Sequence, residues 1–497
     1  MPDRPDDLFD REREWADVTD FVTGSRSGVS LGIIYGRRRQ GKSFLLRRLV
    51  AATGGLYHQA LEEGRSAALA RVGDAVATHR GLAAGHVTFR DWSDALRALV
   101  EPPSGAPRTA TRTVVLDEFP YLLAHSPEIP SALQQLVDTQ RDVRRGPGTA
   151  LLVCGSAISV MSALLEGARA MRGRARLELV VRPFDYRQAR EFWGVRDPQL
   201  AFTLHAVVGG TPGYRDVLGE APRSLRAFGA WLARGILNPS HALFRESEYV
   251  LAEDPRLTDR GLYHTVLEAV SRGERSPTRI AARLGRPEGA LRHPLRLLEE
   301  AELLHRTEDV LRQRNPLLSV ADPIVRFQHV VMRPRMTQLE ERRAVEVWEA
   351  VQPTFSAQIL GPHFEHLARV WTGRVAAEEA LGGPVGEVGP TTVSDPAQRL
   401  QIEVDVVALA AGERKHAKRA VVRLLGEAKA SERPRGLDDL RRLERARALL
   451  AASDRADVSQ ARLALFGRGG FTPDLRRTAD ARRDLVLVDL ERMYEET

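Results

Sequence analysis

The sequence predicts a multidomain α/β protein, and three observations carry that prediction. Short continuous apolar runs alternate with amphipathic stretches through the first half. A helical middle follows, ending in three helices and a hairpin. The last third then returns to strand-like runs, so a second α/β unit lies C-terminal to the first. A chain of 497 residues has room for several cores.

The elements follow in order. Residues 30–35 (SLGIIY) read as a buried strand and 43–52 as a helix. Residues 113–116 and 150–154 are two more buried strands, and 177–183 a further one. Continuous apolar strands separated by helices indicate a parallel sheet covered on both faces. The Pro/Gly-rich stretch 101–107 reads as a loop, and 186–237 as helical. Periodicity weakens over 238–259, which places a boundary there. Residues 261–327 read as helix, helix, helix, hairpin, with the hairpin strands at 303–306 and 310–315. The polar, basic stretch 334–343 reads as a linker. A helix at 355–371, strands at 402–409 and 421–425, a helix at 437–452 and strands at 462–466 and 485–489 complete the chain. The domains expected are therefore 1–183, a helical lid at 184–255, a helix-turn-helix unit at 256–340 and a C-terminal unit at 341–497.

Composition excludes several classes. No apolar run approaches 18 residues, so no membrane partner is expected. The charged N-terminus lacks the apolar core of a secretory signal. One cysteine, Cys154, excludes an intramolecular disulfide framework, and a reducing cytoplasm is the expected setting. The net charge of +7 is mild for this length and proves no nucleic-acid partner. Only four of the 73 basic residues are lysines: Lys42, Lys415, Lys418 and Lys429. In so Arg-rich a chain, a lysine hints at a site that needs a compact, rotatable ammonium.

Gly36-Arg37-Arg38-Arg39-Gln40-Gly41-Lys42-Ser43 fits GxxxxGK[ST], between a buried strand and a helix that Phe44 continues. The glycines let backbone amides turn inward around phosphate oxygens, and the helix N-terminus adds positive field. Lys42 would reach the β- and γ-phosphates, and Ser43 would ligate Mg²⁺. At the end of a later strand, Asp117 can hold the Mg²⁺ shell and Glu118 can polarise the attacking water. ATP and Mg²⁺ are thus the expected cofactors. Ser156, after the next strand, can sense the γ-phosphate or orient water; the bland alternative is a strand-end hydroxyl. Arg172 and Arg174 sit in a basic cluster from which an arginine could reach a neighbour's γ-phosphate, as against a solvated basic loop.

These motifs resemble the archaeal-type ATPases, phosphate-loop proteins of the AAA+/STAND kind. The resemblance rests on Tyr35 to Arg39, the run Asp117-Glu118-Phe119-Pro120-Tyr121-Leu122, Cys154-Gly155-Ser156 and Gly209-Gly210-Thr211-Pro212. It covers residues 5–235. It implies that FDRERE, with Arg11, is the family's N-terminal box near the adenine, and that Gly210 and Pro212 form its GxP element in the lid. Gln40 stands where the family commonly has a small apolar residue, and Ser43 where it often has Thr.

In the middle region Ser276 is an N-cap, Pro277 a first helical residue and Gly285 a helix end. This predicts a winged helix-turn-helix. Its third helix mixes Arg292, His293 and Arg296 with Glu288, Glu299 and Glu300. DNA is therefore one expected partner, and packing on the ATPase to transmit its state is the alternative. A homo-oligomer is also expected.

In the last third, Asp405 ends one strand and Glu427 and Lys429 end the next, with Glu365 on the helix before them. Adjacent strands would gather these oxygens at one sheet edge for Mg²⁺, with Asp405 and Glu427 as ligands and Lys429 positioning water. Glu403 shares the face of Asp405. The segment resembles the PD-(D/E)xK nucleases, and more closely the domain of unknown function 234 that follows archaeal-type ATPases. That resemblance implies a restriction-endonuclease-like α/β fold with Glu365, Asp405, Glu427 and Lys429 catalytic. The expected protein is an ATPase coupled to a nuclease-like domain acting on DNA. The alternative is a nucleotide-switched regulator that binds DNA or a protein and cuts nothing.

Overall fold

The computed structural model describes residues 2–25, 27–101, 111–140, 148–166, 171–313 and 316–495. The predicted loop at 101–107 lies outside them from residue 102 on. The chain forms two compact units. The first comprises Met1–Pro183, Thr211–Asp216 and Glu248–Thr258; the second comprises Phe184–Gly210, Val217–Ser247 and Asp259–Thr497.

The first unit is built on a parallel sheet of β1 (Val29–Tyr35), β2 (Leu56–Gln59), β3 (Arg112–Asp117), β4 (Thr149–Gly155) and β5 (Ala175–Val180), in the order β2-β3-β4-β1-β5. All four pairings are parallel. Strands β1, β3 and β4 are buried almost throughout, which is why they read as unbroken apolar runs. One face packs Leu45, Leu46 and Leu49 of the Lys42–Thr53 helix, with Trp15 and Val18 of the Glu12–Gly24 helix, against Ile34, Val115 and Leu152. The other face packs Leu69, Val72, Trp92 and Leu96 against Leu31, Ile33, Val114 and Val153. Edge strand β5 alternates in burial and ends at Val180, three residues short of the predicted end.

The second unit carries the helices Tyr186–Phe192, Pro198–Val208 and Leu225–Arg234, then Arg260–Ser271, Pro277–Leu284 and Glu288–Glu300. Ser276 caps the Pro277 helix by accepting from the Arg279 amide, and Gly285 ends it at φ +61°. A hairpin of β6 (Leu304–Thr307) and β7 (Leu317–Val320) follows. The second hairpin strand is thus not at 310–315; residues 314–315 lie outside the described residues. The reason is packing: Val310 and Leu311 are buried in the core of the C-terminal sheet. The Val310 amide donates to Pro390 O at 3.1 Å. Most of the expected linker at 334–343 is helical, as a 3₁₀ turn Arg333–Arg335 and the helix Met336–Glu340. The helix expected from 355 is the later part of a longer one: Ala344–Phe355, a π turn Ser356–Leu360, and Gly361–Arg374.

The C-terminal sheet contains β8 (Val385–Asp395), β9 (Leu400–Ala410), β10 (Ala420–Lys429), β11 (Ala456–Asp457), β12 (Arg462–Gly467) and β13 (Leu485–Val488). Its order is β13-β12-β10-β9-β8, with β11 beside β10. Strands β8, β9 and β10 pair antiparallel, and β10, β12 and β13 pair parallel. Leu440, Leu443, Ala446 and Leu450 of the Leu437–Ala451 helix cover one face. Edge strand β8 was absent from the sequence reading because Gly386, Gly389 and Pro390 break its pattern, and its register shifts at the same places.

Candidate functional site

Because every strand of the first sheet runs the same way, the loops after β1, β3 and β4 open at one edge. The loop after β1 holds Gly36 at φ +154°, Arg39 at φ +65° and Gly41 at φ +90°. A Cβ on Gly36 would stand 2.2 Å from the Val181 carbonyl oxygen, so only glycine fits there. The Lys42–Thr53 helix starts immediately after Gly41, aiming its unpaired amides at the loop. Lys42 is buried and its Nζ donates to the Arg37 carbonyl at 2.8 Å, folded across the loop. Gln40 is buried, Arg37, Arg39 and Ser43 are half-buried, and Arg38 lies outside, ion-paired to Glu253 at 3.2 Å. Inward amides, an ammonium, a hydroxyl and a nearby carboxylate are the donor set that a triphosphate and a hard divalent cation require. The residues therefore fit magnesium nucleotide.

Asp117 ends β3 and is 1% exposed. Its Oδ1 accepts from the Glu118 amide at 2.9 Å and its Oδ2 from the Tyr57 hydroxyl at 2.5 Å. Burial and this bond raise the Tyr57 hydroxyl's pKa well above its usual range, so it stays a donor. Burial, then the Asp117 charge, raises the Glu118 carboxyl; Lys42 and Arg38 partly offset this, and Ser156 hydrogen-bonds it. Glu118 thus shares one site with Lys42 and Ser156. Tyr57 went unnoticed in the sequence because its strand is only four residues long.

The remaining expected residues divide. Buried Arg11 donates to the Gln40 carbonyl at 3.2 Å and the Arg182 carbonyl at 2.8 Å, so it braces the loop. Pro212 lies beside Gly41, 3.9 Å from where a Cβ would be, and the Gly213 amide donates to Arg39 O at 3.0 Å. Phe44 is 42% exposed. Arg172 and Arg174 precede β5, which runs parallel to β1, so they lie at the sheet edge opposite the phosphate loop. A six-residue strand spans about 20 Å, so neither reaches the chain's own loop. Arg172 is exposed, and Arg174 makes a two-point bond to Asp138 at 2.8 Å.

In the second unit, Asp405 on β9 and Glu427 on β10 come together across an antiparallel pair. Asp405 Oδ2 accepts from the Ala428 amide at 2.8 Å, and Arg369 donates to the Asp405 carbonyl at 3.0 Å. Burial, then the charge of Glu365, pushes the Asp405 carboxyl up to about 7. Burial likewise raises Glu365, against Arg369 and Arg275. Exposed Glu403 also faces Glu365. Buried Glu427 lies 3.4 Å from Lys429 Nζ and 3.6 Å from Arg435. Lys429 donates to Asp439 at 2.8 Å, and Asp439 pairs with Arg435 at 2.9 Å. The sequence reading missed Arg369, Arg435 and Asp439. Arg435 and Asp439 reach the site only because residues 430–436 return to the strand end. Among the described residues, no three His, Cys, Asp or Glu side chains gather closely enough to hold a metal ion between them. No helix of the described residues is long and apolar enough to cross a membrane.

With this geometry established, residues 8–199 match the family described as an ATPase domain predominantly from Archaea. That segment is an archaeal-type ATPase domain. An uncharacterized protein of Methanocaldococcus jannaschii is 24% identical over 367 residues, covering 73% of this chain and 76% of its own. Among solved structures, the Walker-type ATPase of Pyrococcus abyssi aligns at 19% identity, with 66% of this chain and 97% of that one covered and a TM-score of 0.46. The ORC2 protein of Aeropyrum pernix, in its ADPNP–ADP complexes, aligns at 15% identity, with 70% and 96% covered and a TM-score of 0.43.

Proposed function

We propose that the ATPase domain binds and hydrolyses ATP with Mg²⁺ and passes its nucleotide state to the second unit, which acts on DNA. The observation that carries the hydrolytic part is the meeting of Lys42, Glu118 and Ser156 at one sheet edge. Loop amides and Lys42 hold the β- and γ-phosphate oxygens. Ser43 and Asp117 hold Mg²⁺, which when bound neutralises charge developing on the phosphoryl group. Glu118 takes the proton of the attacking water, and Ser156 fixes the Glu118 carboxylate for it. Arg11 keeps the loop in its nucleotide-binding curve. Arg172 and Arg174 serve only a nucleotide on a second copy of the chain, and Arg174 would first leave Asp138.

The Leu304 hairpin and the helices before it support a winged-helix reading, with Arg292, His293 and Arg296 exposed on the third helix. Glu299 pairs with Arg306 at 2.6 Å and Arg296 with Glu300 at 3.5 Å, so Arg292 and His293 carry the basic character of that face. Glu365, Asp405, Glu427 and Lys429 support a nuclease-like site. One observation favours the reading without cleavage: Lys429 and Arg435 already neutralise Glu427 and Asp439. ATP hydrolysis and DNA cleavage, each assayed with and without Mg²⁺, decide between them. Slow hydrolysis without Mg²⁺-dependent cleavage would favour the nucleotide-switched regulator, and absence of hydrolysis would defeat the coupled ATPase reading.

A further inference from the structure

Tyr57 is the one side chain on β2 that reaches the carboxylate assigned to the cation. In the sheet Tyr57 pairs with Val115 and Gln59 with Asp117, so Tyr57 lies diagonal to Asp117 on the same face. That face is the one covered by the Lys42–Thr53 helix. Within this helix Ser43 and Arg47 are four residues apart and share a side. The Arg47 guanidinium sits over the Tyr57 ring, 4.9 Å from its centre, and donates to Gln59 at 2.8 Å. A chain of contacts thus runs from the phosphate-loop helix through Arg47 and Tyr57 to Asp117.

Asp117 accepts from the Glu118 amide on one oxygen and from the Tyr57 hydroxyl on the other, and the Cys154 thiol, a weaker donor, also hydrogen-bonds it. The two strong donors, on opposite oxygens, fix the carboxylate's rotation. With the Tyr57 bond removed, Oδ2 loses its strong donor and the carboxylate gains freedom to turn, a freedom that is lost again when a cation is bound. Groups that orient a metal ligand are typically worth about 10–100-fold in metal affinity.

We propose that Tyr57 is a positioning residue that pre-sets Asp117 for the magnesium shell of the bound nucleotide. The inference rests on the ATPase reading and names a residue that reading does not use. Its test is calorimetric binding of the non-hydrolysable analogue AMP-PNP, in excess EDTA and in Mg²⁺, so that turnover is not the readout. In Tyr57→Phe, affinity in EDTA stays within twofold of wild type, while the tightening produced by Mg²⁺ falls about tenfold. In an Asp117→Asn background, Tyr57→Phe has no further effect, because the carboxylate it steers is gone. An unchanged Mg²⁺ response, an equal loss in EDTA, a full effect in the Asp117→Asn background, or failure of Tyr57→Phe to fold would each overturn the proposal. Wild type that does not bind AMP-PNP more tightly with Mg²⁺ brings down the ATPase reading itself, and this inference with it.

Discussion

Asp117 accepts a hydrogen bond from the backbone amide of Glu118 at 2.9 Å, and Glu118 holds a left-handed backbone at φ +53°. A glutamate in that region is strained by about 1 kcal/mol. The turn swings Glu118 out of the strand line and onto the side where Lys42 and Ser156 lie. Glu118→Gln keeps the turn and loses the base. Nucleotide affinity should stay near wild type while phosphate release falls about 10²–10⁴-fold. Equal turnover in the variant would remove Glu118 from the chemistry.

Lys42 is folded over the loop on the Arg37 carbonyl rather than extended into solvent. Lys42→Ala removes the only ammonium of the loop and leaves the glycines and Arg11 brace intact. Both ATP affinity and turnover should fall, turnover by about 10²-fold or more, with little change in melting temperature without nucleotide. Calorimetric ATP binding beside thermal unfolding separates the two.

Much of this was legible beforehand, and the limits have physical causes. Strands β1, β3 and β4 are buried on both faces, so their apolar runs marked them directly. The phosphate loop, Asp117, Glu118 and Ser156 are each adjacent to such a strand. Short β2 and irregular β8 carry no clean period, and with β2 went Tyr57. The second strand of the hairpin was misplaced because Val310 and Leu311 are apolar for another reason, burial in the C-terminal core. Arg369, Arg435 and Asp439 join the carboxylates through folding of distant segments, which local pattern does not encode.

Asp309 ties the hairpin connection to the C-terminal sheet. Its Oδ1 accepts from the amides of Leu311 (3.0 Å) and Arg312 (2.9 Å) and from the Thr391 hydroxyl (2.7 Å). Its carbonyl accepts from His416 at 2.7 Å. Asp309→Ala leaves three donors short of an acceptor at a buried position, so a loss of about 2–4 kcal/mol in urea unfolding is expected. Asp309→Asn retains an acceptor and should lose less. Equal losses in the two variants would show that the carboxylate is not the anchor.

If the second unit cleaves DNA, Lys429 must leave Asp439 to serve the reaction. Lys429→Ala should then abolish Mg²⁺-dependent nicking of supercoiled DNA. Asp439→Asn weakens the competing pair and should raise cleavage or leave it unchanged. Cleavage that persists in Lys429→Ala would sink the nuclease assignment.

Acid stability is set in part by an imidazole pair, buried His329 and half-buried His264. His329 is 0% exposed; its Nδ1 donates to the Val325 carbonyl at 2.8 Å, and its Nε2 faces His264 Nδ1 at 3.4 Å. Since Nδ1 of His329 carries the proton, Nε2 is the acceptor and His264 must donate to it. A second proton on His329 would set two N–H groups against each other, close to Arg333. Burial is the larger cause, and together these hold His329 at about 3. His264 is held at about 4 by burial, then Arg333 and Arg260. The unfolded chain protonates both near 6.5. Between about pH 6.5 and 3 it therefore binds more protons than the native state, and stability present above 6.5 is lost as pH falls. Each such imidazole contributes up to about 1.4 kcal/mol per pH unit to that slope. The His205–His363 pair, 3.0 Å apart and also depressed by burial, adds its own share. His329→Gln retains a donor for Val325 and removes the titration, so urea midpoints at pH 7, 6 and 5 should fall less steeply than in wild type. An unchanged slope would mean that His329 is already protonated in the native state, contrary to the tautomer its hydrogen bonds require.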